Sequence, residues 1–322
     1  MIIVAGEALI DLIGHEGDDA GYKPVVGGAN ANVAMALAKS GVPHKFLARI
    51  STDSFGQKIT NHLRSYEVDL SMAVSAPEQT TLAIATIDGQ GVASYSFYIN
   101  GTADWAWHEN ELPVASTLNE LGAKAVQFGC LTAAIPPGSA VLEAWLNSLQ
   151  AEGTLTLSHD LNIRPSLGFD REVELNRVLS LNSISHIIKA SDADIEWLFD
   201  LEPGADLSQI AKDWTSQGQL LLITRGAAGV ALYLNQKELK VPSQKINLVD
   251  TVGAGDTFMA NFLVKLDDFD ALGQNPLAKL AEVSAEHLTE AVEYATAAAA
   301  IVCERSGCQP PTRQEVVKRL QG

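Results

Sequence analysis

A mainly parallel α/β sheet with helices on both faces is the fold class that the sequence predicts, on three observations. Short apolar runs recur along the chain at Ile2–Ala5, 125–128, 154–158, 186–189 and Leu220–Thr224, each bounded by polar or turn residues as fully buried strands are. Segments of helical periodicity lie between them, at 29–40, 139–150, 172–181 and 207–217. No solenoid-period repeat, low-complexity tract or long linker interrupts the alternation. In such folds ligands bind beyond the carboxyl ends of the strands, so the residues that follow each apolar run carry the functional information.

The first strand begins almost at the N-terminus and meets Gly6-Glu7 with no basic region before it. It is read as part of the fold and not as a signal peptide, and the expected compartment is the cytoplasm. Two stretches then break the alternation. Residues 11–26 lack helical periodicity and contain a Gly-rich turn. Residues 80–98 alternate in the two-residue rhythm of exposed strands, with turn chemistry at Asp88-Gly89-Gln90-Gly91. They form either two unrelated surface hairpins or one small sheet that covers a site as a lid. The alanine-rich segment 290–305 is expected to be a helix, capped by Leu288-Thr289 and stopped at Ser306-Gly307.

The 322 residues include 22 Lys+Arg against 39 Asp+Glu, a formal charge of −17. That balance argues against sequence-independent nucleic-acid binding, which needs clustered cations to displace counterions. It leaves open an anionic nucleotide, because backbone N–H groups and one or two side chains suffice to hold phosphates. No apolar run approaches the ~20 residues of a membrane span. Cys130, Cys303 and Cys308 form no CxxC pair and are read as thiols, neither a disulfide nor a zinc site.

Chemistry concentrates in two glycine motifs. The later one reads Asp250-Thr251-Val-Gly253-Ala254-Gly255-Asp256-Thr257 and opens a helix. Glycines on both sides of an alanine let successive N–H groups turn toward one point, and the first N–H groups of a helix have no internal partner, which makes an anion hole. Asp256 at its mouth is placed to take a proton from an attacking hydroxyl, or else only to cap the helix. The earlier motif, Gly27-Gly28-Ala-Asn30-Ala-Asn32, opens an alanine-rich amphipathic helix. Its glycines allow close backbone approach, and its amides both donate and accept, as neutral hydroxyls require. It is not the G-x-G-x-x-G dinucleotide fingerprint. The chain also contains no G-x-x-x-x-G-K-[ST], H-R-D or D-F-G element.

In this order the two motifs resemble the paired signatures of the ribokinase-like (PfkB) carbohydrate kinases, over the whole chain. The resemblance implies a ribokinase-like fold: one catalytic domain, 1–322, with a β lid from about 11–26 and 80–104. It implies ATP as phosphoryl donor, Mg2+ as cofactor and K+ as an accessory ion. Asp256 matches the family's base, and Gly253, Ala254 and Gly255 its anion hole. Asp11, Gly27, Gly28 and Asn32 match the residues that grip sugar hydroxyls. Thr224, Gly226 and Gly229 resemble the strand-and-turn that contacts ATP. Asp250 and Thr251, with the loop around Gly307, resemble the potassium site. Asn162 and Arg164, in Asp160-Leu-Asn162-Ile-Arg164, match a sugar- or phosphate-binding segment. Where the family often carries Asn-x-x-Glu for magnesium, this chain has Ser191-Asp-Ala-Asp194. Asp194 is the weaker candidate for that reason.

Residues 97–104 contain no Arg or Lys to meet a substrate carboxylate, which favours a neutral sugar. The segments around Asp11, Arg164 and Asp104 are most similar to those of fructokinases, so fructose is the expected acceptor and its 6-hydroxyl the expected site. Alternatives are 2-keto-3-deoxygluconate, ribose or a nucleoside within the same family, or a sensor that binds sugar or nucleotide without catalysis. Trp105 and Trp107 serve either the sugar ring or lid packing. The resemblance also implies a homodimer formed through the lid.

Overall fold

Successive side chains of strand Ile2–Ala5 enter different cores. Ile2 and Val4 pack with the helices Ala29–Lys39, Ala254–Asp268 and Ala285–Cys303, whereas Ile3 and Ala5 pack with Gly138–Glu152 on the opposite face. Strand Leu220–Thr224 repeats the pattern, with Leu220 and Leu222 in the first core and Leu221 and Ile223 in a third, beneath Asp192–Leu198 and Ser208–Trp214. A strand buried on both faces must be apolar at every position, which is why these runs read as continuous and not alternating.

The structure, a computed structural model, describes residues 1–15, 21–87 and 93–321. Its main sheet has eight strands in the order Lys237–Val241, Val230–Leu234, Leu220–Thr224, Ile187–Ser191, Thr156–Asp160, Ala125–Gly129, Ile2–Ala5, His44–Leu47. The last six are mutually parallel and the first two pair antiparallel at the edge. Two strands run about two residues beyond the expected apolar windows, to Asp160 and Ser191. The first extension carries Asp160 onto the sheet as the register partner of Lys189.

A second sheet has the order Lys23–Gly27, Leu9–His15, Leu82–Ile87, Ala93–Tyr98. Leu9–His15 pairs in parallel with Leu82–Ile87, placing Asp11 opposite Ala83, so the two stretches that break the α/β rhythm share one sheet. Residues 16–20 and the turn at Asp88-Gly89-Gln90-Gly91 lie outside the described residues. Polar ties fix the chain where it crosses into this sheet. Ala8 N donates to Asp104 Oδ1 at 2.9 Å, and both the N–H and the hydroxyl of Thr80 donate to Asp53, at 2.9 and 2.7 Å.

The alanine-rich helix starts earlier than expected, at Ala285. Its cap is Ser284, whose hydroxyl accepts from His287 N at 3.1 Å. Leu288-Thr289 lies inside it, and the Thr289 hydroxyl donates back to Ala285 O at 2.8 Å. A serine side chain satisfies an orphan N–H that a leucine cannot. No helix among the described residues is long and apolar enough to cross a membrane.

Candidate active site

Residues far apart in sequence meet beyond the carboxyl ends of the central strands. Asn32, on the first turn of Ala29–Lys39, donates from Nδ2 to Asp256 Oδ2 at 2.8 Å. Asp256 is the third residue of Ala254–Asp268, a helix that follows Gly253 in the left-handed region (φ 77°). A Cβ at Gly253 would lie 2.3 Å from Cys308 Sγ, so neither the turn nor the space admits a side chain there.

The N-termini of these two helices differ in chemistry. At Ala29–Lys39 the Glu7 carboxylate accepts from Ala29 N at 2.9 Å and from Asn30 N at 3.4 Å, and the Glu7 carbonyl accepts from Ala31 N at 3.2 Å. Its positive end is therefore already neutralised. At Ala254–Asp268 the N–H groups of Gly255 and Asp256 donate to no acceptor among the described residues. One terminus is filled by the protein's own anion. The other is open to an anion from outside.

Asp11 lies on Leu9–His15 of the second sheet, beside the turn that opens Ala29–Lys39. A Cβ at Gly27 would come within 2.1 Å of Asp11 Oδ2, so glycine at 27 clears the space that the carboxylate occupies. Gly28, at φ 110°, passes so close to Glu7 that a Cβ would lie 2.7 Å from its carbonyl oxygen. Asn30, expected to face ligand, instead donates to Glu7 Oε2 at 2.9 Å and to Gly129 O at 3.1 Å. Its amide builds the site's frame, and Asn32 is the one directed at Asp256.

Burial raises the Asp256 carboxyl from 3.8 to about 7; the Asn32 hydrogen bond lowers it, Asp160 raises it, and Lys189 and Arg164 lower it. Asp11 is raised to about 6, again by burial and against the pull of Arg164. Arg164 thus stands near both carboxylates, with its Nη1 donating to Asn162 Oδ1 at 2.5 Å and to Ile163 O at 3.1 Å. A buried carboxyl poised near neutrality can take up a proton during reaction and return it afterwards.

Asp194 uses both carboxylate oxygens on backbone N–H groups. Its Oδ2 accepts from Ser191 N at 2.8 Å and its Oδ1 from Ile163 N at 2.9 Å. The shorter aspartate closes a capping box on Asp192–Leu198 and ties down the loop that carries Asn162 and Arg164. No cluster of three or more His, Cys, Asp or Glu able to hold a metal occurs among the described residues.

Thr224 ends its strand opposite Ser191 in the register, and the turn after it uses Gly226 (φ 48°) and Gly229 (φ 92°) to reverse into the antiparallel edge. In the loop before Gly253, Asp250 Oδ2 accepts from Gly307 N at 2.9 Å and its Oδ1 from Val252 N at 3.1 Å. These bonds join the loop containing Thr251 to the loop after the alanine-rich helix. Trp105 and Trp107 are both buried. Trp105 clusters with Leu9 and Ala83 of the second sheet and with Leu131 and Ile135, and Trp107 belongs to the core with Leu142 and Trp145.

Glu7 and the ion pair of Lys189 with Asp160 are structural parts that motif reading passes over. Their signal is a charge inside or immediately after an apolar run, which a parallel strand tolerates only when the charge is paired.

Residues 1–315 match the family described as pfkB family carbohydrate kinase. The chain belongs to that family. It is a carbohydrate kinase, and the ribokinase-like fold anticipated from its motifs is the fold observed. It is 34% identical over 288 residues to a fructokinase of Rhizobium leguminosarum bv. trifolii, covering 88% of this chain and 84% of that protein. It is 31% identical over 332 residues to fructokinase-1 of Oryza sativa subsp. japonica, covering 100% and 98%. Among solved structures, fructokinase with bound ATP from Xylella fastidiosa superposes with a TM-score of 0.87 at 25% identity, covering 99% of this chain and 98% of that one.

Proposed function

We propose that this kinase transfers the γ-phosphoryl group of ATP to a primary hydroxyl of fructose, giving fructose 6-phosphate, with Asp256 as the base. The observation that carries the reading is Asp256 itself: a buried carboxyl raised to about 7, held by Asn32 beside the open N-terminus of its helix. The fructokinases among its relatives support fructose as acceptor. So does the division between the two helices, one closed by Glu7 and suited to a neutral polyol, the other open and suited to a phosphoryl group.

In this reading Asp11, Gly27, Gly28, Asn32, Asn162 and Arg164 bind the sugar, and Thr224, Gly226, Gly229 and Gly255 border the nucleotide. Asp256 withdraws the proton of the acceptor hydroxyl as that oxygen forms its bond to the γ-phosphorus. The bond from phosphorus to the β,γ-bridging oxygen breaks, and ADP leaves with the electron pair. Charge spreading over the transferred group falls against the Gly253-Ala254-Gly255 turn, where the N–H groups of Gly255 and Asp256 are open and that of Ala254 is held by the Thr251 carbonyl at 3.2 Å. Magnesium bound to the nucleotide would offset the phosphate charge. A potassium ion near Asp250 and Thr251 would stabilise the loop that presents these N–H groups. The lid exposes Tyr22 and Tyr98, an apolar surface consistent with a homodimer.

Release of ADP measured with fructose, ribose, adenosine and 2-keto-3-deoxygluconate tests the acceptor. Fructose is expected to give the highest kcat/KM. A higher value for the acid sugar would overturn the argument from residues 97–104.

The pH profile tests the base. With Asp256 protonated below about 7, log kcat/KM should rise with close to unit slope toward neutrality and then level off. A profile flat across that range would remove Asp256 from the role.

A further inference from the structure

Lys189 is a lysine in the middle of a buried strand, with its side chain 6% exposed. Its Nζ donates to Asp160 Oδ1 at 2.8 Å and Oδ2 at 2.7 Å. An ammonium has three donors, so one remains beyond those two bonds. The pair stands beside the candidate catalytic base: Asp160 raises and Lys189 lowers the Asp256 carboxyl.

Gly255 shows what lies on the open side of this pair. It is helical and not in a left-handed conformation, so its backbone does not demand glycine. A Cβ built there would meet only Lys189, with Nζ at 3.4 Å and Cε at 3.9 Å. The protein leaves room above Gly255 that its own packing does not require. The N–H groups of Gly255 and Asp256 open at the same helix terminus without a protein acceptor among the described residues. A glycine that is not needed for strain or packing, next to unpartnered N–H groups, marks space kept for a ligand.

We propose that Lys189 is a further catalytic residue of the phosphoryl transfer, giving its third N–H to a non-bridging oxygen of the group that passes over Gly255, while Asp160 holds the ammonium at that wall. The inference rests on the kinase reading above and adds a side-chain cation to an anion hole otherwise made of backbone. The step itself is unchanged. The acceptor oxygen bonds to the γ-phosphorus, its proton goes to Asp256, and the bridging bond breaks to release ADP. Lys189 keeps all its protons throughout and gains its contact as charge moves onto the non-bridging oxygens. Asp160 cancels the ammonium's charge in the resting enzyme, so the lysine stays buried with little net field. A preorganised donor of this kind acts on the transition state more than on the bound sugar.

The test compares Lys189→Met with the double variant Lys189→Met/Asp160→Asn. The single variant strands the Asp160 carboxylate in the core and is expected to lose stability, whereas the double variant is neutral and should recover it. Both should lose kcat by about 10²–10³-fold, with the KM for sugar within a few-fold of the parent. ATP binding by calorimetry identifies the folded fraction of each preparation. A double variant with parental kcat would overturn the proposal and leave the ion pair as a structural element alone. The parent protein, assayed alongside, separates the two readings: an inactive parent defeats the kinase reading, and an active parent with an active double variant defeats only the role of Lys189.

Discussion

Asp256→Asn is expected to lower kcat by about 10²–10⁴-fold, the range general-base catalysis supplies, while ATP and sugar affinities stay within a few-fold. The same change should make the protein more stable at neutral pH. The sign follows from linkage. The folded-state carboxyl titrates near 7 and the unfolded one near 3.8, so between those values the folded state holds a proton that the unfolded state has released. Stability from this group therefore falls as pH rises from about 4 to about 7, and the full cost is present above that window. Raising the carboxyl to about 7 corresponds to an upper bound on the order of 4 kcal/mol. Asparagine carries no charge to bury and still offers an oxygen to Asn32. Thermal unfolding should show the variant above the parent at about pH 8 and level with it near pH 4. Near-parental kcat would exclude the base assignment. No gain in Tm at the higher pH would show that the ionised carboxylate is not destabilised by its surroundings.

That trade between stability and function explains which parts of the site were legible in the sequence. The glycine loop before Asp256 is readable because its chemistry is local: left-handed backbone at Gly253 and unpartnered N–H groups follow from a few adjacent residues. The early helix is readable for the same reason. The Asn32–Asp256 hydrogen bond joins residues 224 positions apart, and no local pattern reports it. The parallel pairing of Leu9–His15 with Leu82–Ile87 is equally non-local; each strand alone suggests only a hairpin.

Other differences have identifiable causes. Asp194 reads as an imperfect copy of a metal-binding glutamate, and at the third position after Ser191 its carboxylate also reaches back to the serine's N–H and closes a capping box. Asn30 and Asn32 are equivalent as sequence, two amides on one helix start. Glu7 decides between them by taking Asn30 and leaving Asn32 for Asp256. The strands run on to Asp160 and Ser191 because strand pairing continues past the point where apolar character stops.

Glu7→Ala is expected to cost about 3–5 kcal/mol of stability, because most of the donors it leaves without an acceptor are buried. Glu7 is 1% exposed. Its side chain accepts from Ala29 N, from the backbone and side-chain nitrogens of Asn30, and from the Thr132 hydroxyl at 2.6 Å. Among the described residues no other side chain caps that helix, since Gly28 at the cap position has none. The loss should reach catalysis as well, because Asn32 lies on the freed first turn and carries the hydrogen bond to Asp256. Glu7→Gln separates the two effects. The amide keeps the shape and one acceptor oxygen, but its NH2 faces either the helix N–H groups or Asn30 and Thr132, so donors meet donors on one side. The variant should fold with a smaller stability loss, about 1–3 kcal/mol, and with kcat reduced more than ATP affinity. Denaturant unfolding and steady-state kinetics on the two variants read these quantities directly. An alanine variant as stable as the parent would mean that solvent reaches the helix start. A glutamine variant with lowered stability and full kcat would show that Asn32 keeps its hold on Asp256 without help from Glu7.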